Sequence, residues 1–511
     1  MQVIKYVLLG AGFGALMNVA APGAATAQQT SASSAPSQAA EVADELKALH
    51  GQVDALQKRL DADPLADPAA SHTDKLYYKG VTLTLGGFGA LESIYRSRNE
   101  TADMASSFSA IPFNNSSAGQ TSEFRFSARQ SRITALAEGN PTSDIHLGFY
   151  GELDFLGAAQ TANSNETNSY TPRIRVMYNQ IDWRNEGLHL LAGQNWSLVT
   201  MQGKGITPRA EDIPPTIDAQ YIPGFSFTRQ PQIRLTQEFG NNIWAAISLE
   251  NPQTTFYTGA NALPKSVILT YNSAAGSGYN SANILSLNHI PDVVAKVAYE
   301  PTLAGRAVHL EAFGLYRSFY ERLDYENQNV NGGGAGAGLI VPVLPGVLDF
   351  QLSGMAGKGI GRYGAAQLTD VTFDAAGVIK PVSEIQALAG VTLHASPKLD
   401  VYAFAGEEKE SAQAYYLTSA DGAVTGYGYG NPLYVNAGCD EEGSTAACTG
   451  NTRAVEQGTT GFWYRPFSGW FGKYQVGLQY SRTERKAFSG VGGAPIANDN
   501  MMFASFRYYP F

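Results

Sequence analysis

Only two cysteines occur in 511 residues, Cys439 and Cys448, so neither a disulfide-dense scaffold nor a thiolate metal centre is available. Charge is scarce as well: 16% of residues carry it, and the balance of −10 sets aside a nucleic-acid binder. Beyond the N-terminus no stretch reaches the roughly 18 uninterrupted apolar residues that a spanning helix needs. The seven histidines are scattered, and none sits at a metal-ligand spacing. Neither GxSxG nor HExxH occurs. Gly359-Ile-Gly361-Arg-Tyr-Gly364 satisfies GxGxxG without a strand–helix unit around it, so it reads as a Gly-rich loop. No cofactor is indicated.

What is abundant is glycine (54), tyrosine (27) and phenylalanine (24), a composition that suits alternating strands better than helices. Residues 1–27 read as a signal peptide. Lys5 supplies the positive start, Val7 to Val19 is apolar and small, and Ala25-Thr-Ala27 forms the cleavage site. Residues 28–40 are a Gln/Ser/Ala/Pro linker with no means of building a core. In 41–63, Val42, Leu46, Leu49, Val53, Leu56 and Leu60 recur at steps of four and three, a heptad seam. A helix this short is marginal alone, so the seam predicts a periplasmic coiled coil; two and three strands both satisfy it. Residues 64–79, with Pro64 and Pro68, form a second linker, and 80–511 the main domain.

From there the period is two. Val81, Leu83 and Leu85 alternate with Thr82 and Thr84; Leu147, Phe149 and Leu153 alternate with His146, Glu152 and Asp154; Val476 and Leu478 alternate with Gln475 and Gln479. Aromatic residues gather at segment ends, as in Tyr77-Tyr78, Phe462-Trp-Tyr464 and Trp470-Phe471. The expectation is an all-β, 16-stranded antiparallel transmembrane β-barrel behind a short N-terminal helical coiled coil. Short links at 139–143, 184–187, 239–242 and 396–398 then face the periplasm. Eight long links face outward: 97–123, 157–171, 197–228, 252–290, 319–332, 358–383, 407–459 and 484–499.

Arginine carries the chemistry. Arg125, Arg129, Arg132, Arg173, Arg175, Arg234 and Arg317 lie on polar strand faces, and Arg is costly toward lipid, so they are predicted to line the pore. Arg132 joins the face of Arg125 and Arg129 only if a bulge shifts the register. A ladder of guanidinium groups favours carboxylates or phosphates. The competing reading is a structural ion-pair network with Glu138, Glu152, Asp154 and Glu238. The 197–228 link is expected to fold inward, making Lys204 and Arg209 candidate constriction residues. Eight residues separate Cys439 from Cys448, which in an exported chain reads as a short-loop disulfide.

The stretches Gly193-Gln-Asn-Trp-Ser197, Arg229-Gln-Pro-Gln-Ile-Arg234, Glu250-Asn-Pro252 and the closing Phe506-Arg-Tyr-Tyr-Pro-Phe511 resemble the DcaP-like trimeric outer-membrane channels. Signal, heptads and barrel follow in that family's order. The resemblance implies a homotrimer in the bacterial outer membrane, embedded in its lipid, with the coiled coil in the periplasm. It also implies passive uptake of small anionic solutes such as dicarboxylates, with no catalytic step. Two alternatives are kept: an outer-membrane hydrolase, with Ser and His (His146 or His189) brought together across strands, and an adhesin-type barrel with a plugged lumen. In the closing strand, Met502, Ala504, Phe506 and Tyr508 share one face. That places Phe506 outward and Arg507 toward the lumen.

Overall fold

The computed structural model describes residues 75–157, 171–257 and 288–511, with positions 47, 51, 259, 261–264 and 267. The signal peptide, the first linker and the heptad seam lie outside the described residues, apart from Lys47 and Gly51. The second linker ends earlier than its composition suggested. Lys75–Tyr78 is already a strand, paired with residues 81–84 across a turn at Lys79 and Gly80, both with positive φ (48° and 81°). Two consecutive left-handed residues are what a two-residue hairpin turn requires.

Sixteen antiparallel strands close on themselves. The first quarter comprises β1 (Val81–Arg96), β2 (Arg132–Gly139), β3 (Ile145–Gly157) and β4 (Thr171–Trp183). Next come β5 (Leu188–Trp196), β6 (Arg229–Phe239), β7 (Ile243–Glu250) and β8 (Asp292–Tyr299). Then follow β9 (His309–Leu323), β10 (Glu326–Leu344), β11 (Leu348–Lys358) and β12 (Ser383–Ser396). The last are β13 (Leu399–Glu410), β14 (Thr452–Gly469), β15 (Gly472–Ala487) and β16 (Ile496–Tyr509). Each pairs with its neighbour in sequence, and β16 returns to β1 with Phe506 opposite Leu91. Closure leaves no free edge in the wall, so the ladder satisfies the backbone without solvent.

Period-two patterning sorts the side chains as expected. Leu91, Phe506, Val476 and Tyr464 form one cross-strand row on the outer face, spanning the seam. Other outer positions are apolar and exposed, Ile133 to 58%, Ile247 to 49% and Ile385 to 59% among them. On the inner face at the seam, Arg507 Nη2 lies 3.2 Å from Glu92 Oε1 and its guanidinium sits over Phe88 and Trp463.

Short turns collect at one end of the barrel and long links at the other. One predicted long link, 319–332, is instead strand. β9 and β10 stay paired out to Leu323 opposite Glu326, across a turn at Asp324 and Tyr325 with φ of 47° and 68°. Its polar composition looked like loop, but the pairing of Glu321 with Gln328 and Arg322 with Asn327 shows a hairpin.

The 411–451 link carries its own hairpin, Gln413–Thr418 with Val424–Tyr429, and the Cys439–Cys448 disulfide. Cys439 is fully buried in an apolar cluster with loop residues Met104, Phe108, Ile111 and Phe113. Closing a ring this small contributes about 2–3 kcal/mol of loop-closure entropy to the local fold. Replacing both cysteines by serine is therefore expected to leave the barrel folded while protease cleavage within 440–447 accelerates roughly tenfold or more. Mass spectrometry of timed digests measures it.

Candidate functional site

The 197–228 segment leaves the barrel wall at Trp196 and returns to it at Arg229, its ends tied by Ser197 N donating to Thr228 O at 2.9 Å. Between them it folds into the barrel. On one side, Lys296 Nζ of β8 donates to Thr200 O at 2.7 Å, and Gln202 N donates to Glu311 Oε2 of β9 at 3.0 Å. Gly205 N reaches Glu300, which lies in a short turn, so the segment descends the depth of the lumen. On the far side, Trp463 Nε1 of β14 donates to Pro215 O at 2.8 Å and Ile217 N donates to Gln479 of β15. Gly224 N donates to Glu408 Oε1 of β13 at 2.8 Å.

Two glycines permit this approach. Gly224 has φ of +91°, and a Cβ there would lie 2.0 Å from Ala387 O. A Cβ on Gly406 would lie 2.0 Å from Pro223 O. Side chains at either position would lift the segment off the wall.

Beside the segment remains a cavity of about 300 Å³, between Ile213–Tyr221 and the walls of β2–β4 and β13–β16. Four guanidinium groups face it: Arg132, Arg175, Arg465 and Arg507. Asp154, Asp218 and Asp400 face it too. Arg175 Nε lies 2.5 Å from Glu152 and its Nη1 3.4 Å from Asp154, with Nη2 donating to Tyr221 Oη at 3.4 Å. Arg132 lies 3.6 Å from Glu152 and stacks over Phe88. Arg465 is paired with Asp400.

The other expected arginines are spread along the wall. Arg173 binds Asp154 at 2.7 Å. It borders a second recess, of about 470 Å³, with Arg229 and Arg362; there Arg229 lies over Trp196 at 4.8 Å. Arg129 joins Asp103 at 2.8 Å to the backbone of Phe155 and Gly157. Arg125 is the most open of the set, beside Glu123 at 3.2 Å. Arg234 and Arg317 point inward but are only 1% exposed. Arg234 bonds Gln232 and the Trp196 carbonyl, while Arg317 is held by Asp292 and Asp370, the latter from the 359–382 link. The links folded over these two separate them from the 300 Å³ cavity. Lys204 is exposed near the tip of the hairpin closed by Gly203 and Ala210, and Arg209 lies over the Tyr150 ring at 5.5 Å.

Arg465, Arg229 and Arg362 did not emerge from the sequence as site residues. Arg465 lies in β14 two residues past the inward Trp463, and that parity is the one signal that could have found it. Arg362 sits in a short 3₁₀ turn and carries no such parity. Register also moved. A break at 128–131, closed by Ser131 N donating to Ala128 O, realigns Arg132 with Phe88; a bulge in β4 between Ile174 and Val176 turns Arg175 and Val176 to the same side.

No protein-family model matches the chain, and no curated protein sequence does either. Among solved structures, the outer membrane channel DcaP of Acinetobacter baumannii superposes with a TM-score of 0.59, at 18% identity, over 85% of this chain and all of that one. The chain shares its fold with DcaP. Less similar are OmpF of Salmonella typhi in complex with daunomycin (TM-score 0.45, 10% identity, 85% of this chain and 99% of that one) and an anion-selective porin from Comamonas acidovorans (0.44, 10%, 84% and 99%).

Asp212 gives the inward segment a pH dependence. Burial, then the charge of Glu311, hold its carboxyl up at about 6, with His309 opposing and Asp349 adding to the rise. A folded value above the ordinary 3.8 makes docking strongest below about pH 4. The advantage fades as pH rises through 6, by about 3 kcal/mol. Amide protection of 203–212, corrected for the intrinsic pH dependence of exchange, is expected to fall between those pH values in the native chain and to stay flat in Asp212→Asn.

Proposed function

We propose that this chain is an outer-membrane channel for passive diffusion of small anionic solutes, dicarboxylates in particular. The observation that carries the reading is the arginine-lined cavity beside the inward-folded segment, inside a closed barrel whose outer face is apolar. An outer belt of leucine, isoleucine and phenylalanine suits the hydrocarbon of a bilayer, and the aromatic ends of the strands suit its interfaces. Guanidinium groups opposite one another offer planar, bidentate partners to carboxylates at two points of one solute. Arg125, Arg129, Arg132, Arg173 and Arg175 then form the path from the long-link mouth, with Arg209 and Lys204 on the segment that narrows it. Nothing in this reading calls for a catalytic step.

We further propose that the channel is a homotrimer whose 41–63 heptads associate in the periplasm. One observation favours a second reading, a plugged barrel: Ile217, Ile222, Phe225, Met104 and Phe108 meet in one buried cluster at the long-link end.

Planar-bilayer recording separates the two. A diffusion channel gives stable steps in threes and a reversal potential shifted toward anions; a plugged barrel stays silent. Arg132→Ala or Arg175→Ala is expected to lower the anion-to-cation permeability ratio by about twofold or more. A cation preference in the native chain refutes the anion reading. Deleting 41–63 is expected to leave a folded barrel with a less stable oligomer, read from the temperature at which the trimer band is lost on a gel.

A further inference from the structure

Four of the five described histidines lie within a few residues of a short turn, on the inner face, and each lies between two carboxylates. His146 Nδ1 is 2.7 Å from Asp182, and its Nε2 3.4 Å from Glu138. His189 Nδ1 takes the other oxygen of Asp182 at 2.7 Å, and its Nε2 lies 3.5 Å from Glu238. Glu138, His146, Asp182, His189 and Glu238 thus run as one chain across β2 to β6. On the opposite wall, His394 bridges Asp349 at 3.2 Å and Asp400 at 2.8 Å. His309 bridges Glu300 at 3.4 Å and Glu311 at 3.2 Å.

The side chains of His146, His189 and His394 are 16%, 26% and 36% exposed, whereas His309 is covered by the inward segment at 3%. Two fixed cations touch the ring: Lys296 on Glu311 and Arg465 on Asp400. Asp212 of the inward segment faces His309 from the lumen. Among the wall groups, seven carboxylates against those two cations leave five uncompensated negative charges when the imidazoles are neutral. Protonating all four histidines leaves one.

We propose that this ring is a second charge filter, in series with the arginine-lined cavity and resting on the channel reading. The ring attracts inorganic cations and retards anions at the short-turn mouth when its histidines are neutral, and it passes anions when they are protonated. Imidazole is the side chain whose ordinary titration range, near about pH 6.5, allows a change of that size under mild conditions. Opposed rings in a narrow lumen set ion selectivity by the sum of their fields, so the mouth with the variable charge sets the pH dependence of the whole.

The test uses the full-length protein in planar bilayers under a potassium chloride gradient. Between about pH 8 and pH 5 the chloride-to-potassium permeability ratio is expected to rise about threefold in the native chain. Acidifying one compartment alone should produce the shift, and acidifying the other should not, because the ring lies at one end. In the triple variant His146→Asn, His189→Asn, His394→Asn most of the rise should vanish while conductance persists. A native reversal potential that ignores pH, a shift that follows both compartments equally, or a triple variant with the full native shift each overturns the inference. Silence of the native protein overturns the channel reading, and this inference with it; conductance without pH dependence overturns this inference alone.

Discussion

Closing the sheet is the constraint on which the rest depends. A strand in a closed barrel has two faces and no edge, so where the outer face is given to apolar side chains the charged groups of the same strands point inward. Charges drawn together inside a wall of limited radius cannot stay hydrated individually. They pair. Arg132, Arg173 and Arg175 share Glu152 and Asp154 across three adjacent strands for that reason. A guanidinium left alone there costs several kcal/mol, and one whose carboxylate is removed loses about as much.

The inward segment uses the same wall differently. Its backbone donors also reach wall carboxylates: Gly224 N donates to Glu408, as does Ala366 N of the 359–382 link, and Gln202 N donates to Glu311 beside Lys296. Polar wall positions therefore serve as docking points for the 197–228 and 359–382 links as well as lining for the lumen. Packing the Trp196–Tyr221–Phe225–Phe227 aromatic cluster at the segment's return then fixes where the open space remains. The open space borders β2–β4 and β13–β16, beside a segment that docks on β8, β9 and β13–β15.

Much of the barrel was legible because it follows from period-two alternation. Phe506 outward and Arg507 inward came from parity alone, and both hold across the seam. Register was less legible. The break at 128–131 and the bulge at Arg175 each move a guanidinium by one position, and no composition signal marks them. Asp324–Tyr325 hid a turn because neither residue is glycine, although both adopt left-handed backbone. The covering of Arg234 and Arg317 depended on where groups 38 to 64 residues away in sequence would fold, which local patterning does not encode. The histidines looked scattered for the same reason: at positions 146, 189, 309 and 394 they have no regular spacing, and they recur toward one end of the wall because each sits just inside a short turn.

That recurrence bears on how a lumen rich in arginine could conduct at all. Bare guanidinium groups in a narrow, partly dehydrated passage would hold a dicarboxylate too well, and transport needs binding that is strong enough to admit and weak enough to release. Pairing Arg132, Arg173 and Arg175 with carboxylates lowers the field without removing the hydrogen-bond donors. In the proposed channel an anion would exchange one partner for another along the wall, as between Arg175 and Arg132 over Glu152. In the proposed channel the carboxylate-rich ring near the short turns would extend the same logic to that mouth, by opposing a second stable resting place for an anion there.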